Sequence, residues 1–333
     1  MISVILCTFN RCGLLREALK SIMSSVLSPP FPWEIVVVDN NSTDQTRDLV
    51  EDLSHHYDGR LRYVFEPRQG KSHALNTGVR EAAGDILAFV DDDVVVDSAW
   101  LSNLTQPLRG GEWAGAGGRI FPAETFSPPP WLSVNGPYSL AWMVYAHFDL
   151  GDEPRQLDCA PFGTNMAFQK AMFDRYGGFR VDLGPTNNRD IPRFNEDTEF
   201  GRRLIAAGEH LRYEPSAIVY HRIPTERIDQ TFLLNHWFDL GRASICEAGK
   251  RPPIGGIPRY YFSIPKGVLT MLSGTLRWLR AAEPQQRFFL KGRVWFSAGA
   301  TVQLWRHALR GIGPKRILDQ ERVQSGGLDR VSN

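Results

Sequence analysis

Asp91, Asp92 and Asp93 stand in a row directly behind the apolar run 86–90. Three carboxylates at the end of a strand repel one another unless a cation neutralises them. The placement therefore suggests a divalent metal held for an anionic ligand, of which a nucleoside diphosphate is the natural case. Alone, the triplet would more readily be a solvated acidic turn. It has company, because a second apolar run, 35–38, ends in Asp39 and continues Asn40-Asn41-Ser42-Thr43-Asp44. Two strand-like segments thus deliver carboxylates at their C-terminal ends, the edge of an open α/β sheet where ligands bind.

Other residues of a chemically useful type lie further along. Arg68 and Lys71 sit just before or within a helical pattern, where a solvated basic loop is the competing explanation. Glu196 and Asp197 open a helix-like segment, and acidic residues there also favour the helix dipole. His221 closes the apolar run 217–220, with Arg222 and Arg227 following. A lone histidine at a strand end is usually structural, although neutral imidazole is also a metal ligand.

The elements that must position these groups are readable from periodicity. Strand-like segments 3–8, 34–39, 61–65 and the one ending at Asp91 alternate with helical segments 13–25, 43–55 and 71–83. That alternation predicts a mainly parallel sheet with right-handed crossovers. Beyond Asp97 the pattern loosens into the Gly-rich stretch 110–118 and Pro128–Pro130, then an aromatic segment from Trp131 to Phe148. Core packing is the first expectation for those aromatics, and a platform for a glycan acceptor is the second.

With 333 residues, 42% apolar and 11% aromatic, the chain can bury a substantial core. Cys7, Cys12, Cys159 and Cys246 show neither zinc spacing nor disulfide density. They read as structural thiols of a reducing compartment, and the start lacks the features of a signal peptide, which together predict a cytoplasmic location.

Two nucleotide-binding classes fail on their motifs. The segment 7–13 lacks the G-x-G-x-x-G turn of a dinucleotide-binding dehydrogenase. Gly70-Lys71-Ser72 imitates the end of a P-loop, but Phe65 occupies the place of its first glycine and Pro67 interrupts the loop.

The combination of segment 3–10, the run 36–44, Gly70 to Gly78 with Asn76, and Asp91-Asp92-Asp93 closely resembles family 2 glycosyltransferases of the GT-A fold. Gly163-Thr164-Asn165-Met166-Ala167-Phe168 and Asn195-Glu196-Asp197 continue the resemblance in order, so that it covers residues 2 to about 225. The resemblance implies a Rossmann-like α/β fold and a donor half over residues 1–120. An acceptor and catalytic-base half would follow over 121–225, and a helical extension over 226–333 lies beyond the resemblance. It implies that Asp39, Thr8 and Asn10 hold the nucleoside and that Asp91, with Asp92 as the variable middle residue, serves the ribose or metal-bound water. Asp93, with Asp91 and His221, would hold Mn²⁺ or Mg²⁺, and Arg68 and Lys71 would add charge against the diphosphate. By the same resemblance Asp197 is the general base and Glu196 orients the acceptor.

The C-terminal third departs from that pattern. Between Arg251 and Arg316 there are twelve Lys and Arg against the single acidic Glu283, whereas residues 1–250 carry 24 basic and 33 acidic side chains. Ile264, Val268, Leu269, Leu272, Leu276 and Leu279 fall at helical spacing, and Phe288 to Trp305 continue similarly. No apolar run is long enough to span a bilayer. The basic amphipathic pattern instead predicts an anionic membrane surface as partner, with packing on the catalytic domain or a homodimer as the alternatives. Nucleic acid is excluded by the acidic remainder and the lack of a recognition motif.

The expectation is thus a metal-dependent inverting transferase. It would use a nucleotide sugar, by default a UDP-sugar, on a saccharide or lipid-linked saccharide acceptor in cell-surface polysaccharide or glycolipid synthesis. The rivals are a sugar-phosphate nucleotidyltransferase, whose Gly-rich N-terminal loop is missing between Cys7 and Gly13, and a catalytically silent sugar-nucleotide or membrane-binding protein.

Overall fold

The computed structural model of the chain describes residues 1–310 apart from 28, 58 and 250–259. One sheet contains β1 (Ile2–Thr8), β2 (Trp33–Asp39), β3 (Leu61–Phe65), β4 (Ile86–Asp91), β5 (Val94–Val96), β6 (Gly115–Pro122), β7 (Arg155–Gln156), β8 (Asn165–Gln169) and β9 (Leu211–His221). The helices are α1 (Cys12–Met23), α2 (Thr46–Ser54), α3 (Lys71–Glu81), α4 (Trp100–Thr105), α5 (Ala141–Tyr145), α6 (Lys170–Tyr176), α7 (Glu196–Ala206), α8 (Gln230–Ala248), α9 (Tyr260–Arg280) and α10 (Pro284–Arg310).

The strands lie in the order β3-β2-β1-β4-β8-β6-β9-β5, with β7 beside β9. Strands β1 to β4 are mutually parallel where they pair, β8 runs antiparallel to both β4 and β6, and β9 is parallel to β6. This is the mainly parallel α/β architecture predicted from the sequence. The near-continuous Val and Ile of β1, β2 and β4 are buried because helices cover both faces, as parallel sheets require. The chain leaves β1 for β2 and β3 on one side and returns to β4 on the other. The carboxyl ends of β1 and β4 therefore frame the crevice at a topological switch point. Register sets Thr8 beside Asp39 and Cys7 beside Asp91.

Two local expectations are corrected. The Gly-rich stretch is irregular only as far as residue 114: Gly115, Gly117 and Gly118 lie in β6, with their neighbours pressed against the backbone. A Cβ on Gly115 would stand 2.8 Å from the Ala167 carbonyl, and one on Gly118 would collide with that of Ala217. Glycine inside a strand here marks close approach, not a turn. Helix α2 starts at Thr46, three residues later than its periodicity suggests. The reason is that Asp44 Oδ1 accepts from Thr46 N at 3.1 Å and Thr46 Oγ1 at 2.6 Å, closing a turn first.

The aromatic segment builds a second core. Leu132, Leu140, Met143 and Val144 bury against Leu233, Trp237 and Phe288, and Trp131 meets Phe288 edge to face at 4.5 Å. It joins the sheet to the C-terminal helices, which makes packing its observed role. Helices α8 and α10 cross closely because each contributes a glycine. A Cβ on Gly241 would strike the Phe296 carbonyl, and one on Gly299 that of Phe238. We expect Gly241→Val to cost about 1–3 kcal/mol by forcing this crossing apart, read as a lowered Tm.

No described helix is long and apolar enough to cross a membrane. Of the basic C-terminal segment, Arg251, Arg259, Lys315 and Arg316 lie outside the described residues, as does 311–333 of the extension. The four cysteines are free, and burial pushes the Cys7 thiol up and that of Cys246 up to about 11, as suits structural thiols.

Candidate active site

A cleft of about 550 Å³ opens at the carboxyl edge of β1 and β4, with Thr8, Arg11, Lys71 and the three aspartates in its walls. Each aspartate has its own partners. Asp91 Oδ1 accepts from Lys71 Nζ at 2.6 Å and Oδ2 from Thr164 Oγ1 at 2.9 Å. Asp92 turns the other way, accepting from Thr8 Oγ1 at 2.7 Å and Arg11 Nη1 at 3.0 Å. Asp93 is reached by Arg11 Nη1 at 3.2 Å, Arg227 Nη2 at 3.5 Å and His221 Nε2 at 3.4 Å. Burial alone would raise the Asp91 carboxyl, but the Lys71 ammonium holds it below the usual range. Burial and the adjacent Asp93 carry Asp92 upward despite Arg11. Protein cations thus meet part of the charge that the sequence alone leaves for a metal.

Asp91, Asp93 and His221 are brought together, each offering one ligand atom, and these atoms lie within 4.8 Å of one another. His221 Nδ1 donates to the Arg222 carbonyl at 2.6 Å, which leaves the Nε2 lone pair facing Asp93 and the Arg227 guanidinium. Burial and Arg227 lower its pKa despite Asp93, which favours the neutral imidazole, the form that binds metal. A carbonyl behind a ligating histidine is the usual orienting partner. Two hard carboxylates with one imidazole suit Mn²⁺, and Mg²⁺ less well, so the residues present fit a divalent cation.

The motif Gly163-Thr164-Asn165 performs three separate tasks. Gly163 N donates to Asp197 Oδ2 at 2.5 Å, and a Cβ at Gly163 would stand 2.7 Å from that oxygen. Thr164 holds Asp91. Asn165, fully buried, accepts from Trp100 Nε1 and donates to the Arg119 and Ala217 carbonyls, locking β6, β8 and β9 together. One dipeptide therefore ties Asp91 to Asp197.

Asp197 also accepts from Thr198 N at 2.6 Å in the first turn of α7. Before it, Asn195 adopts a left-handed φ of 75°, a conformation asparagine tolerates better than most residues. Glu196 is buried, 3.7 Å from Lys71, and burial with the neighbouring Asp197 pushes its carboxyl up to about 8 against the pull of Lys71. A carboxyl that keeps its proton near neutrality is a hydrogen-bond donor there, not a base. Lys71 is raised despite burial, chiefly by the Asp91 carboxylate.

On the β2 side, Asp39 accepts from Tyr63 Oη at 2.8 Å and Ser42 N at 2.9 Å. Asn10, with φ 52°, accepts from Thr43 N at 2.7 Å. These two residues order the ends of β1 and β2 beside the cleft. Arg68 turns to Glu66 instead, making two bonds to its carboxylate at 2.9 and 3.0 Å, and it does not line the cleft. Burial opposes ionisation of Glu66, yet Arg68 and Thr77 bring its carboxyl down to about 2 from 4.5. A depressed folded pKa stabilises above the unfolded value and is lost as pH falls through the folded one. The melting temperature of wild type should therefore fall between pH 4.5 and about 2 more steeply than that of Glu66→Gln.

Several residues of the cleft escaped sequence reasoning. Arg11 bridges two aspartates, and Arg189 and Arg193 enter from the segment between α6 and α7. Asn40 accepts from Gly70 N at 2.8 Å and donates to the Arg68 carbonyl at 2.7 Å, holding the loop that presents Lys71. A single arginine in a loop carries no pattern. For Asn40 the signal was its position directly after a strand-terminal aspartate.

The family model "Glycosyl transferase family 2" matches residues 3–177. YdaM of Bacillus subtilis, a probable glycosyltransferase, is 28% identical over 233 residues, covering 67% of this chain and 51% of its own length. The succinoglycan biosynthesis protein ExoM of Rhizobium meliloti is 25% identical over 242 residues, covering 72% and 73%. The chain thus spans about half of one relative and about three quarters of the other. Among solved structures, the mannosyltransferase PcManGT of Pyrobaculum calidifontis, in complex with GDP-Man and Mn²⁺, superposes with a TM-score of 0.51 at 19% identity. The match covers 98% of this chain and 79% of that one, which shows a shared GT-A fold. With more than half of its length matched by the family model and its fold shared, the chain belongs to glycosyl transferase family 2.

Proposed function

We propose that the chain is a metal-dependent, inverting glycosyltransferase that moves a sugar from a nucleotide sugar, by preference a UDP-sugar, to a saccharide or lipid-linked saccharide. The setting would be cell-surface polysaccharide or glycolipid synthesis at the cytoplasmic face of a membrane. The observation that carries this reading is the junction at Gly163-Thr164, where the carboxylate suited to a donor's metal, Asp91, and the carboxylate suited to proton abstraction, Asp197, are held by adjacent residues.

In this reading Asp91, Asp93 and His221 hold the divalent cation, which when bound supplies Lewis-acid neutralisation of diphosphate charge. The nucleoside lies toward Thr8, Asn10 and Asp39. Arg11, Lys71 and Arg227 keep the acidic cluster in place and add positive charge where the leaving group gains negative charge. The acceptor hydroxyl gives its proton to an Asp197 oxygen while its own oxygen bonds to the anomeric carbon. The bond from that carbon to the diphosphate breaks, so one displacement inverts the centre. The two amides that hold Asp197 fix its orientation, and a positioned base need not titrate near pH 7, because the hydroxyl becomes acidic only as the new bond forms. Glu196, protonated near neutrality, orients the acceptor or the Lys71 ammonium.

The test is nucleoside diphosphate release from UDP-, GDP- and dTDP-sugars with Mn²⁺, Mg²⁺ or chelator. Metal-dependent release from one donor, a UDP-sugar, is expected, and it should vanish in Asp93→Ala and Asp197→Asn. Absence of binding to every nucleoside diphosphate by calorimetry would sink the reading.

A further inference from the structure

Helix α9 wears its large apolar side chains on the wrong side. Its contacts with α10 include two glycines and one indole: Gly267 abuts Thr301, a Cβ on Gly274 would lie 3.0 Å from Val294, and Trp278 meets Trp295 edge to face at 6.3 Å. The apolar stripe read from the sequence lies largely on the opposite side. Phe262, Val268, Leu269, Leu272, Leu276 and Leu279 are 41–66% exposed, whereas surface helices ordinarily turn such residues inward. At 100° per residue these six share one arc of the helix, and Lys266, Arg277 and Arg280 follow along one edge of it. Helix α9 contains no acidic residue.

We propose that this face of α9 docks in the interface of an anionic lipid bilayer, with the apolar arc among the acyl chains and Lys266, Arg277 and Arg280 at the headgroup phosphates. The inference deepens the transferase reading, since it would bring the cleft to a lipid-linked acceptor, and it rests on that reading only for its purpose. Three observations select lipid as the occupant. An apolar arc with a cationic edge and no acidic residue complements an anionic surface. No described helix qualifies as a span, so the face can lie on a bilayer but not cross it. A symmetric antiparallel contact with a second copy would set the cationic edge of one α9 against that of the other, a like-charge arrangement that disfavours this form of self-association. The path to the site is continuous: α9 packs on α10, α10 on α8, and α8 on the turn 225–228 that carries Arg227 to Asp93.

The experiment is flotation of the full chain with vesicles of phosphatidylcholine alone and of phosphatidylcholine with phosphatidylglycerol, at low and high salt. Wild type should float with the anionic vesicles, less so at high salt. Removing Lys266, Arg277 and Arg280 one at a time as Gln should weaken binding about fivefold per charge. Leu272→Ser combined with Leu276→Ser should abolish flotation. Because both side chains are exposed, that variant should melt like wild type and release nucleoside diphosphate at the wild-type rate from whatever donor is active. Flotation does not read turnover, so its failure is distinct from failure of the transferase reading. A wild type that stays down with both vesicle types overturns the proposal. So does undiminished flotation of the double variant. A wild-type dimer that the double variant turns into monomer, with no flotation, would overturn it in favour of a second copy.

Discussion

Asp197→Asn is expected to slow sugar transfer by about 10²- to 10⁴-fold while nucleoside diphosphate binding stays unchanged. The substitution keeps the volume of the side chain and one oxygen, and that oxygen can still accept from Gly163 N or Thr198 N, so the local fold should survive. What disappears is the group proposed to take the hydroxyl proton. Gly163→Ala provides an independent view of the same role without touching the carboxylate. Its new Cβ would lie 2.7 Å from Asp197 Oδ2 and 3.1 Å from Asp197 Cβ, so the side chain must shift. A displacement of about 1 Å can cost on the order of 10²-fold in rate. The loss should therefore appear in kcat with acceptor, in both variants. If Asp197→Asn turned over like wild type, the base would have to be sought elsewhere, and Glu196, neutral near pH 7, is poorly suited to replace it.

The parts of this molecule that were legible in its sequence are those where one pattern has one physical cause. Buried parallel strands must be continuous runs of Val and Ile, so β1, β2 and β4 announced themselves, and with them the edge where Asp39 and Asp91 emerge. Asp91 and Asp93 could be paired with His221 only through a resemblance, because His221 lies 128 positions beyond Asp93 and the β5–β9 ladder brings them close. Strand β6 was illegible for the opposite reason. Its glycines are dictated by Ala167, Pro161 and Ala217, which arrive from distant parts of the chain. The α9 stripe was correctly periodic, but periodicity does not say which way a helix faces. Gly267 and Gly274, small enough for α10 to approach, decided that. Arg11 and Asn40 depended on neighbours that folding supplies, so their types alone carried no signal.

Chelation of divalent cations is expected to abolish transfer, with recovery on adding Mn²⁺ and weaker recovery with Mg²⁺, whereas Asp93→Ala should not recover with either. The donor set argues for a graded series. Asp93 presents an acidic oxygen, receives Arg11 and Arg227 and faces His221, so its removal dismantles the cluster as well as the charge. His221→Ala removes one neutral ligand and leaves both carboxylates, so Mn²⁺ affinity should fall about tenfold or more, read directly by calorimetry or by the Mn²⁺ resonance without any turnover. Activity should then return at higher Mn²⁺. Arg227→Ala tests the opposite sign of charge. Without the guanidinium beside His221 and Asp93, cation binding should tighten, while any contribution of Arg227 to the leaving diphosphate would be lost. Tighter Mn²⁺ binding with slower transfer would separate the two functions of that arginine. Full activity in chelator would instead assign the leaving-group charge to Arg11, Lys71 and Arg227, which already surround the three aspartates from the protein side.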